Sequence, residues 1–340
     1  MNLPHLLTQC VAQHASDLHL SSGSPPLLRL HGDLRGLSDL PLTHDDIHAA
    51  LMGVMTTAQQ AQFNQNHECD FAFDMQNVAR FRVNVFRQMR GISAVFRAIA
   101  HDILSLENLH APTVLSQVLQ SPRGLVLITG PTGSGKSTTL AAMIHALNQS
   151  QSKHIITLED PIEFVHTSRQ CLIQQREVDE HTLSFANALR AALREDPDVI
   201  LVGELRDLET MRLAVTAAET GHLVLGTLHT SSAAQTMGRM VDVFPAEEKE
   251  MVRSMLSESL RAVISQMLCK RKDGQGRVAA YEVMLGTPAV RHLIREGKVA
   301  QLYSVIQTGR AVGMQTLDQS LAMLQQQGLI DAQEVSSKVK

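Results

Sequence analysis

The sequence predicts an α/β protein of two domains, and three observations lead there. From Gly124 onward, apolar runs of strand length at 125–129, 155–158, 199–202 and 223–228 alternate with longer segments of helical period, the signature of a doubly wound sheet. The first hundred residues carry their own, shorter set of alternating strands and amphipathic helices. Finally, the 125–129 run leads straight into a glycine-rich turn, Gly130-Pro-Thr-Gly-Ser-Gly-Lys-Ser137, placed at a strand end where open α/β sheets bind ligands.

Taken in order, a short amphipathic helix from about Leu3 to Gln13 precedes the alternating strand Asp17-Leu-His-Leu, and Leu27 to Asp33 reads as a strand ending in a turn. A second helix starts at Thr43, which can cap it while Asp46 reaches back from three positions later. Residues 79–87 and 92–99 alternate strongly on either side of Met89-Arg-Gly and form a hairpin. Its first strand puts Arg80, Arg82 and Asn84 on one face and Phe81, Val83 and Val85 on the other.

These elements make up a first domain over 1–100. Residues 101–120, with Pro112 and a helix after it, read as a linker and connecting helix, and 121–285 as the doubly wound domain. Within it, Glu247 to Leu268 is expected to be one long helix. Met251, Val252, Met255, Leu256, Leu260, Val263, Ile264 and Met267 recur there at three- and four-residue steps. One further strand spans Arg277 to Met284, and 286–340 is a helical C-terminal region in which Pro288 suits a helix start.

The chain has 340 residues, 44% hydrophobic and 19% charged, enough for two independent cores. Its net charge of −4 supplies no global field for nucleic acid or an anionic membrane, and 3% aromatic content offers few platforms for stacking bases. No direct nucleic-acid partner is therefore expected. Cys10, Cys69, Cys171 and Cys269 are scattered, without a C-x-x-C pair, and read as reduced cytosolic thiols. With no signal-peptide pattern at the N-terminus and no apolar run near the roughly 20 residues that cross a bilayer, a soluble protein is expected.

The turn at Gly130 matches the phosphate-binding pattern G-x-x-x-x-G-K-[ST]. Gly133 and Gly135 let the backbone N–H groups of Gly130, Pro131, Thr132, Gly133, Ser134, Gly135, Lys136, Ser137 and Thr138, proline excepted, fold around a polyphosphate. Lys136 would meet the β/γ-phosphates of ATP and Ser137 its Mg²⁺, while the following helix adds its N-terminal dipole.

Hydrolysis needs more: a metal, a group that orients water, and positive charge for the transition state. Asp198-Val-Ile-Leu-Val-Gly-Glu204 delivers Glu204 at a strand end as the water-polarising base, although Gly203 stands where an Asp commonly precedes that Glu. Glu159, Asp160 and Glu163 follow another strand and supply carboxylates for the metal. The segment Gly221 to Thr230 puts His222 and His229 at the two ends of a strand. His44 and His48 have the spacing of a helical metal pair but flank Asp45 and Asp46 in an exposed first turn, and are read as structural.

Together, the phosphate loop, the acidic Thr157–Glu163 segment, the strand ending in Gly203-Glu204 and the His222–His229 segment resemble, in that order, the secretion-type ATPases of type II secretion, type IV pili and type IV secretion. Ala289-Val-Arg-His-Leu-Ile-Arg-Glu296 is similar to a C-terminal motif of the pilus-retraction branch of that family. The likeness covers nearly the whole chain. It implies a PAS-like N-terminal α/β domain and a RecA-like P-loop NTPase domain. It also implies a cytoplasmic homohexamer, peripheral at the inner membrane, that hydrolyses ATP with Mg²⁺ and works on an inner-membrane pilus platform protein, with a paralogous retraction ATPase as a second partner left open.

The site set carried over is Glu204, Glu163 and His229 for chemistry and Ser137, Glu159 and Glu163 for the metal. Arg82 and Arg97 from the hairpin are the phosphate-contacting cations, with Arg80 and Arg123 as lesser candidates. Gly238 departs from the polar or acidic residue the resemblance leads one to expect there. An accessory retraction paralogue, a nucleic-acid motor and a non-motor ATP switch remain as alternatives at this level.

Overall fold

The computed structural model describes residues 1–30, 32–76, 78–99, 103–274 and 276–338. They form two compact units, Met1–Asp102 and Ile103–Lys340.

The first unit runs α1 (Leu3–Ala12), β1 (Asp17–Ser21), β2 (Leu27–Leu30), β3 (Asp33–Gly36), α2 (His44–Met52), α3 (Thr57–Asn66), β4 (Glu68–Met75), β5 (Ala79–Gln88) and β6 (Gly91–Ile99). The six strands make one antiparallel sheet in the order β3-β2-β1-β6-β5-β4. Thr43 and Asp46 form the expected capping box of α2, and Thr56 with Gln59 forms a second one for α3. Helix α3 is polar along its length and buries only Phe63, which is why no apolar period announces it.

Alternation along the hairpin sorts side chains as expected. Phe81, Val83, Val85, Ala94 and Phe96 join Leu18, Leu20, Leu28 and the helices' Leu7, Ile47 and Leu51 in one core. The opposite face of the hairpin carries Arg80, Arg82, Asn84 and Arg97 beside Phe86 and Val95. His44 stacks on His48 with ring centroids 5.9 Å apart, and its Nδ1 accepts the Ile92 N–H at 3.4 Å, a structural role.

The second unit continues with α4 (Val114–Val118), β7 (Gly124–Thr129), α5 (Lys136–Ser150), β8 (His154–Glu159), β9 (Leu172–Glu177), α6 (Phe185–Ala192), β10 (Val199–Val202), α7 (Leu208–Thr220), β11 (Leu223–Leu228) and α8 (Ala233–Asp242). It ends with α9 (Lys249–Ser259), β12 (Leu260–Lys270), β13 (Arg277–Leu285), α10 (Pro288–Arg295), α11 (Leu302–Thr308), α12 (Leu317–Gln326) and α13 (Ala332–Lys338). Its seven-stranded sheet has the order β13-β12-β7-β11-β10-β8-β9, parallel except for β13.

Neighbouring residues of one strand serve two cores. Leu125 and Leu127 pack with α6 to α10, while Val126 and Ile128 pack with α4 and α5. A sheet buried on both faces reads as continuous apolar runs, which is how the strands showed in the sequence. Residues 106–119 contribute Leu106, Val114, Leu115, Val118 and Leu119 to the second of these cores.

One expected element is corrected. The helix expected over 247–268 stops at Ser259, and Leu260–Lys270 is a central strand, β12, lying between β7 and β13. Its run Ala262 to Gln266 is buried at every position, so apolar residues fall at helical steps by density alone; β-branched Val263 and Ile264 were the local sign of a strand. Strand β9 escaped notice because its sequence, LIQQRE, is polar and lies on the sheet edge. Among the described residues, no helix is long and apolar enough to cross a membrane.

Candidate active site

Four adjacent parallel strands, in the sheet order β7-β11-β10-β8, end at the segments singled out by sequence. Beyond β7 lies the loop 130–135, beyond β11 His229, beyond β10 Glu204, and at the end of β8 Glu159. This is the carboxyl edge of an open parallel sheet, where ligands bind.

The loop is shaped by left-handed glycines. Gly130, Gly133 and Gly135 have φ of 145°, 75° and 89°, and Gly135 is the N-cap of α5. Gly130 and Gly135 also lie against Gln266 of β12: a Cβ on Gly130 would collide with the Gln266 carbonyl, and one on Gly135 would come within 2.8 Å of its Nε2. Gln266, 3% exposed, clamps the loop with its side chain. Its Nε2 donates to the Ser134 carbonyl at 2.6 Å and its Oε1 accepts from Thr139 Oγ1 at 2.9 Å.

Lys136 is folded onto its own loop, donating to the carbonyls of Gly130 at 2.8 Å and Pro131 at 3.1 Å. Burial lowers its pKa, while the carboxylates of Glu204 and Glu163 oppose that shift. Ser134 Oγ is buried and has no hydrogen-bond partner among the described residues. A cation whose partners among the described residues are carbonyls, an orphaned hydroxyl and a helix N-terminus all fit a polyphosphate. Ser137 and Thr138, half-buried in the first turn of α5, stand at the same end.

Glu204 joins a guanidinium and an imidazole. Its Oε2 lies 2.7 Å from Arg206 Nη2 and its Oε1 3.3 Å from His229 Nε2. Burial would raise its pKa, but the Arg206 hydrogen bond and charge, with His229, outweigh it and hold the carboxyl below its usual value. On its other ring nitrogen, His229 is 3.5 Å from Thr132 Oγ1. The chain Arg206–Glu204–His229–Thr132 therefore connects β10, β11 and the phosphate loop.

Glu159 sits deeper. It accepts from Thr157 Oγ1 at 2.6 Å and Gln175 Nε2 at 3.1 Å, and burial pushes its pKa up, so this carboxyl is already engaged. Glu163 is exposed. Among the described residues, no group of three His, Cys, Asp or Glu side chains converges as a metal cage. His222 lies at the far end of β11, a strand length of roughly 20 Å from His229, and pairs through Nδ1 with the Ala217 carbonyl at 3.1 Å. Arg123 likewise precedes β7, at the opposite end from the loop of its own chain.

In the first unit, Arg82 and Arg97 are direct cross-strand partners, and both are exposed. Arg97 Nε donates to Asp17 Oδ1 at 2.9 Å, and Arg29 Nε is 4.0 Å from Asp17 Oδ2. Buried Asp17 thus holds Arg97 by its Nε. Arg80, half-buried, is in register with Asp74 and Ile99.

The sequence reading missed Gln266 and Arg206. A polar Ser265-Gln266 pair inside an apolar strand run was the available signal for the first; Arg206, two residues past Glu204, gave none beyond proximity.

Residues 3–275 match the family model described as "Type II/IV secretion system protein". The chain is 60% identical over 340 residues to the type IV pilus retraction ATPase PilT of Pseudomonas aeruginosa, covering 100% of this chain and 98% of that one. It is 61% identical over 305 residues to a twitching motility protein of Neisseria gonorrhoeae, covering 90% and 82%. Among solved structures it is similar to the pilus retraction motor PilT with bound ADP, at a TM-score of 0.93 and 45% identity over 99% of this chain and 96% of that one.

Proposed function

The chain belongs to the type II/IV secretion system protein family, and from that premise we propose that it is an ATP-hydrolysing motor that powers type IV pilus retraction. The observation that carries this reading is the full-length likeness to retraction ATPases, joined to a phosphate loop whose lysine, base and histidine all stand at one sheet edge.

ATP binding draws Lys136 off the Gly130 and Pro131 carbonyls onto the β- and γ-phosphates, with backbone N–H groups of the loop donating to the same oxygens. Mg²⁺ would be held by Ser137 together with substrate oxygens, neutralising charge that develops on the phosphates. Glu204, kept ionised by Arg206, orients the attacking water and accepts its proton, while His229 links Glu204 to Thr132 beside the γ-phosphate position.

In this reading the first unit is PAS-like and the second RecA-like, and six chains form a ring. Arg82 and Arg97 meet the phosphates of a nucleotide bound at a phosphate loop. Losing the γ-phosphate weakens that two-sided grip, and the change in domain position is the working stroke. The platform protein at the cytoplasmic face of the inner membrane is the partner worked upon, with a paralogous ATPase as a second one. Glu159 and Glu163 would lend negative charge to holding that Mg²⁺.

Phosphate release by Lys136→Ala and Glu204→Ala tests the site assignment, and a deletion strain scored for surface pili and twitching tests direction. Turnover should collapse in both variants, and the deletion should leave excess pili without movement. Near-normal turnover removes the assigned residue from its role; absent pili mean assembly rather than retraction.

A further inference from the structure

We propose that Thr236 is a positioning residue that locks the His229 segment to the base of the phosphate loop. The inference rests on the reading of this edge as an ATPase site. Thr236 is completely buried in α8. Its Oγ1 lies 2.7 Å from the Ser232 carbonyl, 2.7 Å from Thr230 Oγ1 and 3.5 Å from Thr129 Oγ1. Thr129 Oγ1 is in turn 2.8 Å from Ser265 Oγ.

The single Thr236 proton constrains the cluster. A hydroxyl has one proton to give and two lone pairs to receive with, and a carbonyl only receives. Thr236 therefore gives its proton chiefly to the Ser232 carbonyl at 2.7 Å and shares it more weakly with Thr129 Oγ1 at 3.5 Å, which leaves its lone pairs to accept from Thr230. A single hydroxyl thus touches the end of β7 and the segment after β11 at once.

Those two contacts matter because of what is bonded next to each threonine. Thr129 directly precedes Gly130, where the phosphate loop begins, and Thr230 directly follows His229. The helix that carries Thr236 is fixed at its start by a second buried contact, the Ala233 N–H donating to Glu282 Oε1 at 2.7 Å. Thr236 thereby sets the offset between loop and His229, on which the 3.3 Å approach of His229 to Glu204 depends. The loop's own phosphate donors do not pass through it. Loss of this hydroxyl should slow the chemical step and spare nucleotide binding.

The test compares Thr236→Val, which keeps the shape without the hydroxyl, with Thr236→Ser, which keeps the hydroxyl, in the full chain. Turnover, KM for ATP and affinity for ADP are measured for each. Thr236→Val should lose about 10-fold or more in kcat, the scale expected of a misplaced catalytic group, with KM and ADP affinity changed by less than about twofold. Thr236→Ser should restore kcat.

A wild-type kcat in Thr236→Val overturns the proposal, as does a Thr236→Ser as slow as the valine variant, or ADP affinity that falls in step with kcat. Should Thr236→Val fail to fold by circular dichroism, Thr230→Val removes the same contact from the other side and must give the same split. Absent turnover in the wild-type protein would take down the ATPase reading and this inference with it, whereas an active wild type with an indifferent Thr236→Val takes down this inference alone.

Discussion

Glu204 Oε1 lies 3.3 Å from His229 Nε2, so the ends of β10 and β11 present one shared polar site beside the phosphate loop. Arg206 holds the other carboxylate oxygen at 2.7 Å. Burial works to raise the Glu204 pKa, but Arg206 and His229 together leave it below the usual value of about 4.5.

A pH profile follows from that balance. A carboxyl with a lowered folded-state pKa contributes stability above its ordinary pKa and loses it as pH falls through the lowered one. In the proposed role, Glu204 is then ionised and available as a base at every pH above its ordinary value. Replacing the exposed Arg206 by Gln removes the leading stabiliser of the anion, so the acid limb of kcat/KM should move upward. Profiles of both proteins from about pH 4 to 8 check this; a limb that stays in place would mean that another group sets it.

Gly203 occupies the position where an Asp often precedes the glutamate, and the structure shows why glycine suits it. A Cβ there would lie 3.1 Å from the Leu158 carbonyl oxygen and 3.3 Å from Glu159 Cα, both backbone atoms of the adjoining strand. The Gly203 N–H already donates to that carbonyl at 2.7 Å, so the strand end cannot swing aside freely. Gly203→Ala should destabilise by about 1–3 kcal/mol and lower turnover by displacing Glu204. Gly203→Asp should do more damage, despite restoring the commoner residue. Urea midpoints and phosphate release decide it; an alanine variant matching wild type in both would show that the strands yield.

Gly238 is the opposite case. It lies inside α8, and a Cβ would find only Asp242 Oδ2, at 4.0 Å. Nothing in the packing asks for glycine. Gly238→Ala should therefore stabilise the protein by about 0.5–1 kcal/mol through helix propensity, with turnover unchanged. A urea midpoint at or below that of wild type would point to a need for flexibility in α8 that the packing does not reveal.

What the sequence revealed follows from how local each feature is. The phosphate loop, Glu204 and His229 were legible because each sits within a few residues of an apolar strand, and a parallel sheet brings such strand ends to one edge. The facing of Arg82 was legible from strict alternation in a hairpin. Gln266 and Thr236 were hidden because their partners lie 132 and 107 residues away in the chain, across β12 and β7. Asp17 was hidden for the same reason: only pairing of β1 with β6, 80 residues apart, puts it against Arg97. The mistaken helix over 260–268 arose where burial on both faces erased any period.

Gln266 gives the sharpest test of how the phosphate loop keeps its shape. Its side chain bonds the Ser134 carbonyl and the Thr139 hydroxyl at once, one on the loop and one on the helix that follows. Gln266→Leu fills similar space but leaves both buried groups without their partner, at a cost of about 1–3 kcal/mol. Because those groups set the inward aim of the loop N–H donors, part of this loss should appear in ligand affinity, on the order of 10-fold for each 1.4 kcal/mol. Gln266→Glu separates shape from charge. It keeps an acceptor for Thr139 but sets a carboxylate against the Ser134 carbonyl, beneath the phosphate cradle, where like charge opposes a bound polyphosphate. ADP titration at neutral pH should therefore rank wild type above Gln266→Leu and Gln266→Glu weakest, and an unchanged affinity in the leucine variant would mean that the loop holds its form without the clamp.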